Sequence, residues 1–211
     1  MRDFRLYVIL DVDIAASCGK IEEIAHNVLS AGADILQLRA KGKSDSEVLK
    51  IGRSLGNLAR KEKALFILND RVELVDTINA DGVHLGQEDA PFSEARRALG
   101  PKRIIGISTH SVEEAHEAER QGVDYIAIGP IFSTQTKPQS TPLGPEIITE
   151  IKDKVKIPFL AVGGINLENS NQVLTCGARR IAVCRAIIKA KDVFGTTEKF
   201  KQRLNNPTYT S

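Results

Sequence analysis

Ile35-Leu36-Gln37-Leu38-Arg39-Ala40-Lys41 is a short apolar run that turns polar at its carboxyl end. By the strand period of two, Ile35, Gln37, Arg39 and Lys41 share one face, and Leu36, Leu38 and Ala40 share the other. The apolar face suits packing on helices. The polar face then looks into an opening where Arg39 and Lys41 need an anionic partner or solvent. The same change of character follows other short runs rich in Val, Ile and Leu. It recurs at Asn69-Asp70, Gly86-Gln87-Glu88-Asp89, Ser108-Thr109-His110, Thr134-Gln135-Thr136-Lys137 and Gly163-Gly164. In a parallel α/β barrel all strand carboxyl ends open onto one face, which holds the active site. These clusters therefore converge on one pocket. Its cations, paired acids and glycine backbone suit a magnesium-bound phosphorylated substrate.

Outward from that stretch, strand-like runs fall at residues 6–10, 35–39, 65–68, 82–85, 104–107, 125–128, 159–162 and 181–183. Helical patterns separate them. Ile21, Ile24, Ala25, Val28 and Leu29 keep helical spacing. Ser44 with Glu47, and Ser111 with Glu114, have the form of capping boxes. Gly32, Gly100, Gly122 and Gly177 stand where helices close. Eight strand–helix units predict a compact (β/α)₈ TIM barrel, an α/β fold in one domain over residues 1–204. The tail, 205–211, is expected to fray. A doubly wound sheet is the second choice, but no strand carries a dinucleotide-type glycine fingerprint. The loop over 131–144 is long enough to suggest function.

Composition limits the alternatives. The 211 residues carry 29 Lys and Arg against 27 Asp and Glu, a net charge of +2, so no nucleic-acid or membrane partner is expected. No apolar run approaches membrane-spanning length. Cys18, Cys176 and Cys184 fit neither a zinc site nor a redox pair. A cytoplasmic protein with reduced thiols is the expectation. Oligomeric state is left open.

Each site candidate also has a plainer reading. Asp70 could simply cap a helix beginning near Arg71, and Asp89 could be an ordinary loop carboxylate. As a pair at adjacent strand ends they could share one Mg²⁺, which keeps waters and substrate phosphates among its ligands. Thr134, Gln135, Thr136 and Lys137 suit phosphate or open solvent. Gly163-Gly164 makes either a tight turn or a backbone nest for phosphate, at the usual barrel phosphate loops. Cys184 and Arg185 close the eighth strand beside it. Arg185 shares strand parity with Ile181 and Val183, which would turn all three to one side. His110 is the histidine kept as a site candidate, and His84 is read as structural.

In order and spacing these motifs resemble the thiamine-phosphate synthase family, from about Leu6 to Ile187. The matching pieces include Gln37 to Lys41, Asn69-Asp70, Asp81 to Asp89, Gly106 to His110, Asp124 to Lys137 and Ala161 to Ile165. The resemblance implies a barrel enzyme that joins an aminopyrimidine hydroxymethyl diphosphate to a thiazole ethyl phosphate, often carboxylated. Diphosphate leaves first, and the thiazole nitrogen attacks the resulting pyrimidine cation. Carried over residue by residue, Gln37, Leu38, Arg39, Ala40, Lys41 and Asn69 form the pyrimidine diphosphate stretch. Asp70 and Asp89 hold Mg²⁺, and Ser108 and Lys137 contact diphosphate. Arg39, Ser108 and Lys137 form the catalytic set. Thr134, Gln135, Thr136, Gly164, Cys184 and Arg185 hold the thiazole phosphate. Cys184-Arg185-Ala186-Ile187 departs from the family's common small hydrophobic residue followed by Ser-Ala-Ile. The alternatives are a thiazole tautomerase on the same barrel and a non-catalytic phosphometabolite-binding barrel.

Overall fold

Parity within eight short strands divides this protein into two apolar layers. The computed structural model describes residues 4–135 and 139–206. The strands are β1 (Leu6–Asp11), β2 (Ile35–Arg39), β3 (Leu65–Asn69), β4 (Gly82–Leu85), β5 (Ile104–Thr109), β6 (Tyr125–Ile128), β7 (Phe159–Val162) and β8 (Ile181–Val183). Each pairs in parallel with the next, and β8 pairs with β1, closing the expected barrel. Tyr7, Ile35, Ile67, Tyr125, Ala127, Leu160 and Ala182 point inside and pack on one another. Their neighbours one residue along, including Leu6, Leu36, Phe66, Ile126 and Ile181, join the larger layer between strands and helices.

Three strands run further than their apolar stretches. β1 includes Asp11, β3 includes Asn69, and β5 includes Ser108 and Thr109. Pairing carries the ladder past the last apolar residue, with Asp11 beside Arg39 and Asn69 beside His84. The inward parity of β1 therefore delivers a carboxylate to the mouth.

Two inward positions have no side chain because neighbouring strands fill the space. A Cβ on Gly82 would lie 1.9 Å from the Ile104 carbonyl oxygen, and one on Gly106 would lie 2.0 Å from Cζ of Tyr125. At the opposite end of the barrel, aspartates just before β2, β4 and β6 tie down the preceding odd strand. Asp34 accepts from the amides of Arg5 and Leu6, Asp81 from Phe66, and Asp124 from Ile105. The odd strands would otherwise begin with open donors.

The helices begin and end largely as their sequences predict. Ser44 and Glu47 make the full capping box of the helix Asp45–Lys61. Gly32, Gly100, Gly122 and Gly177 all have positive φ at helix ends. Ser111 departs from expectation. Its side chain accepts from the Glu114 amide at 3.1 Å, but Glu114 turns its carboxylate to the amide of His110 at 2.7 Å instead of back to Ser111. The glutamate thus braces a mouth residue. The last helix, Val193–Leu204, starts at its Asp192 cap. Asn205 and Asn206 follow it, and 207–211, like residues 1–3, lie outside the described residues. Among the described residues no helix is long and apolar enough to cross a membrane.

Candidate functional site

A cavity of about 440 Å³ opens at the carboxyl ends of the strands. Its walls bring together Gln37 and Arg39 from β2, Asn69 from β3, His84 from β4 and Ser108 from β5, with His110 just beyond. The far arc is made by Ser133, Thr134 and Gln135, by Gly163 and Gly164, and by Cys184 and Arg185. Most of the expected site residues therefore meet in one place.

Arg39 does not stand free at the mouth. It pairs with Asp11, which is 4% exposed. The other Asp11 oxygen accepts from the amides of Asp13 and Ile14, both at 3.1 Å, capping the short helix Val12–Ala16. The carboxylate is held by backbone and in turn holds the guanidinium. Cys184 lies beside this pair. Burial first, then the Asp11 charge, pushes its thiol up to about 12, so it stays protonated and is no nucleophile.

Asp70 is not a helix cap. The short helix that follows, Val72–Leu74, begins at Arg71 without side-chain capping. Asp70 instead adopts φ 57°, and its amide donates to the His84 carbonyl at 3.0 Å. Its carboxylate receives Asn69 Nδ2 at 2.8 Å, with Lys41 Nζ at 3.8 Å and Arg71 Nε at 3.4 Å. Burial and the nearby Asp89 charge together raise its pKa, against the pull of Lys41, Arg71 and Asn69. Asp89 uses one oxygen on the Gly86 amide at 2.6 Å. Among the described residues no cluster of three or more His, Cys, Asp or Glu side chains could hold a metal. Asp70 and Asp89 do not line the cavity, but two acids near enough for one charge to act on the other are the donor type of a Mg²⁺ ion that takes its remaining ligands from water and phosphate.

The loop after β6 is stitched to the end of β7. The amides of Ile131 and Phe132 donate to Val162 and Gly163 at 2.8 and 3.1 Å. This contact leaves no room for side chains on the glycines. A Cβ on Gly163 would lie 2.5 Å from Pro130 Cα, and one on Gly164 would lie 2.5 Å from the Ser133 carbonyl oxygen. Both have positive φ, 99° and 65°. The nest and the loop are therefore one unit. Thr136 and Lys137, the remaining loop candidates, lie outside the described residues.

Some candidates sit elsewhere or arrive by another route. Leu38 and Ala40 are buried in the outer layer, as their parity dictates. Lys41 lies past the end of β2 with its side chain 52% exposed, beside Asp70 and off the cavity wall. Arg185 does reach the cavity, but the parity argument fails. Ile181 and Val183 face outward into the helix layer, and Ala182 faces inward. β8 stops at Val183, and Cys184 breaks the alternation with φ −118° and ψ −91°. Arg185 opens the following helix, Arg185–Ile188, and that turn brings it to the wall.

Sequence reading missed Asp11, Tyr7 and Tyr125, and it read His84 as structural only. Both nitrogens of His84 face hydrogen-bonding partners inside the barrel, Tyr125 at 3.0 Å and Ser108 at 2.9 Å. The available signal was inward parity. Asp11 follows Tyr7 and Ile9 at spacing two, but a strand ended at Leu10 leaves it out. His110 is on the wall, its Nδ1 donating to the Gly129 carbonyl.

Comparison with known proteins points to one family and the same fold. A family model described as thiamine monophosphate synthase matches residues 6–187. A thiamine-phosphate synthase of Halalkalibacterium halodurans is 44% identical over 201 residues, 95% of each chain. One from Methanospirillum hungatei JF-1 is 43% identical over 199 residues, 94% of this chain and 96% of that one. The solved thiamine phosphate pyrophosphorylase of Pyrococcus furiosus superposes with a TM-score of 0.86 at 38% identity, covering 95% of both chains.

Proposed function

The chain belongs to the thiamine monophosphate synthase family, and we infer that it joins an aminopyrimidine hydroxymethyl diphosphate to a thiazole ethyl phosphate. Thiamine phosphate forms, diphosphate leaves, and a carboxylated thiazole also releases CO₂. The observation that supports this most directly is one cavity with two anion-suited arcs. Arg39, Asn69 and Ser108 line one, and the Gly163-Gly164 nest with Arg185 lines the other.

The residues suit a dissociative reaction. No protein nucleophile is needed when the leaving group departs first, and the protonated Cys184 thiol offers none. Arg39, fixed by Asp11, stabilises negative charge as it gathers on departing diphosphate. Ser108 donates to the same group, and Lys137 is assigned there by family resemblance. Gln37 and Asn69 orient the pyrimidine. The glycine nest, Thr134 to Thr136 and Arg185 hold the thiazole phosphate so that its ring nitrogen faces the reacting carbon. Asp70 and Asp89 would hold Mg²⁺, which when bound neutralises diphosphate charge. The working compartment is proposed to be the cytoplasm, with the three cysteines as unpaired thiols.

The test is a coupling assay with pyrimidine diphosphate and each thiazole form, with and without Mg²⁺, following thiamine phosphate and diphosphate. Metal-dependent formation of both products is expected. Isomerisation of the carboxylated thiazole with no use of pyrimidine diphosphate would overturn the reading. Arg185→Ser tests the second arc. It should weaken thiazole phosphate binding several-fold and flatten its salt dependence, because the guanidinium supplies paired donors and charge. Equal affinity and equal salt slope would leave the backbone nest as the whole phosphate site.

A further inference from the structure

A chain of hydrogen bonds crosses the barrel interior beneath the cavity. Gln37 Nε2 donates to the Tyr7 hydroxyl at 2.8 Å, and that oxygen lies 3.0 Å from the Tyr125 hydroxyl. Tyr125 continues to His84 Nδ1 at 3.0 Å, and His84 Nε2 lies 2.9 Å from Ser108 Oγ. The ends of the chain, Gln37 and Ser108, line the cavity, whereas Tyr125 is fully buried and does not. Burial raises the pKa of both phenols, which keeps their protons in place.

Each hydroxyl has one proton to give. With the Gln37 amide on the Tyr7 oxygen, every proton finds an acceptor only if Tyr7 gives its own to Tyr125. The Tyr125 proton then goes to His84 Nδ1, which must be the bare nitrogen. The imidazole proton sits on Nε2 and goes to Ser108. The Ser108 hydroxyl proton is left for the cavity, as is the Gln37 carbonyl oxygen.

Building on the function proposed above, we propose that Tyr125 is a positioning residue: its proton holds His84 with Nδ1 bare and Nε2 donating, so that the cavity, with an acceptor at Gln37, presents a donor at Ser108. That pair complements an exocyclic amine at one end of a substrate and an anionic phosphate oxygen at the other. With the chain reversed, both ends would meet like groups, and such a mismatch discriminates strongly in a buried site. Packing holds Tyr125 for this role. Its ring stacks on His84 with centroids 5.5 Å apart, meets Phe4 edge-on at 6.1 Å, and fills the space left by Gly106.

Tyr125→Phe keeps the ring and removes the proton. ¹⁵N spectra of histidine-labelled protein report the His84 tautomer without any turnover. The wild type should show Nε2–H, and the variant should lose that preference. The KM for pyrimidine diphosphate should rise about tenfold, as the loss of one buried hydrogen bond implies, while the KM for thiazole phosphate stays put. Tyr7→Phe is the control. It frees Gln37, yet leaves Tyr125 on His84, so the tautomer should persist. An Nδ1–H tautomer in the wild type overturns the proposal, even if Tyr125→Phe fails to fold. An unchanged tautomer and unchanged KM in a folded Tyr125→Phe overturn it equally. If the wild type makes no thiamine phosphate, the functional reading falls, and the tautomer measurement still judges the chain direction.

Discussion

Asp11 shows how one buried carboxylate can serve fold and site together. One oxygen caps a helix and the other orients Arg39. Asn caps helices about as well as Asp, so Asp11→Asn separates the two roles. The variant should fold normally, while kcat/KM for pyrimidine diphosphate drops by roughly tenfold or more as Arg39 loses its charged partner. A steady-state comparison decides it, and an unchanged kcat/KM would mean that Arg39 needs no such anchor. Cys184 gives a second prediction. Because its thiol is pushed up to about 12, the thiolate fraction is very small at neutral or mildly alkaline pH and grows only as pH nears that value. Cys18 is exposed. Iodoacetamide at about pH 8 should therefore label Cys18 and spare Cys184 in the native protein. Mass spectrometry of the labelled peptides reads this directly, and rapid native labelling of Cys184 would contradict its placement.

At the scale of elements, the barrel interior works by alternating large and absent side chains. Gly106 sits opposite Tyr125 in the β5–β6 register, so the tyrosine occupies space that a side chain would take. Gly106→Ala should cost about 1–3 kcal/mol, the usual range for overpacking a filled core. Urea unfolding measures that loss, and activity should fall with it, because the displaced ring carries the link to His84. Full stability in the variant would show that β5 and β6 can part without cost. The glycines beyond β7 act similarly, since the Pro130–Ser133 backbone comes too close for any Cβ. The start of the loop and the nest cannot move independently without breaking the backbone hydrogen bonds that join them.

For the whole molecule, the acid pair makes a prediction about stability. The folded state raises the Asp70 pKa, mainly by burial and then by Asp89. The folded chain then binds more protons than the unfolded one between the ordinary and the raised value, so stability falls as pH climbs through that window. At neutral pH without metal, Asp70→Asn should therefore raise Tm slightly. Mg²⁺ should stabilise the wild type, by about 2.7 kcal/mol at a hundredfold excess over its dissociation constant. Asp70→Asn and Asp89→Asn should each lose most of that gain. Thermal unfolding across a Mg²⁺ titration provides the readout, and equal shifts in all three proteins would remove the metal site from these residues.

The eight strands, their order and the convergence of Gln37, Arg39, Asn69 and Ser108 were legible in the sequence. Alternation of apolar runs with helical patterns leaves few closed parallel arrangements, and a barrel places every strand end on one face. Positions that depend on neighbouring strands were not legible. Asp11 became a mouth residue because the ladder with β2 extends past Leu10. Ser111 lost half its capping box because the Glu114 carboxylate accepts from the His110 amide instead. Arg185 reached the cavity through the backbone turn at Cys184, against its strand parity. The hydrogen-bonded chain from Gln37 to Ser108 joins residues up to 118 positions apart. Local pattern determines which residues point inward. Which inward groups touch, and in what order they pass a hydrogen bond, depends on the stagger of strands around the closed barrel, and only the tertiary structure sets that.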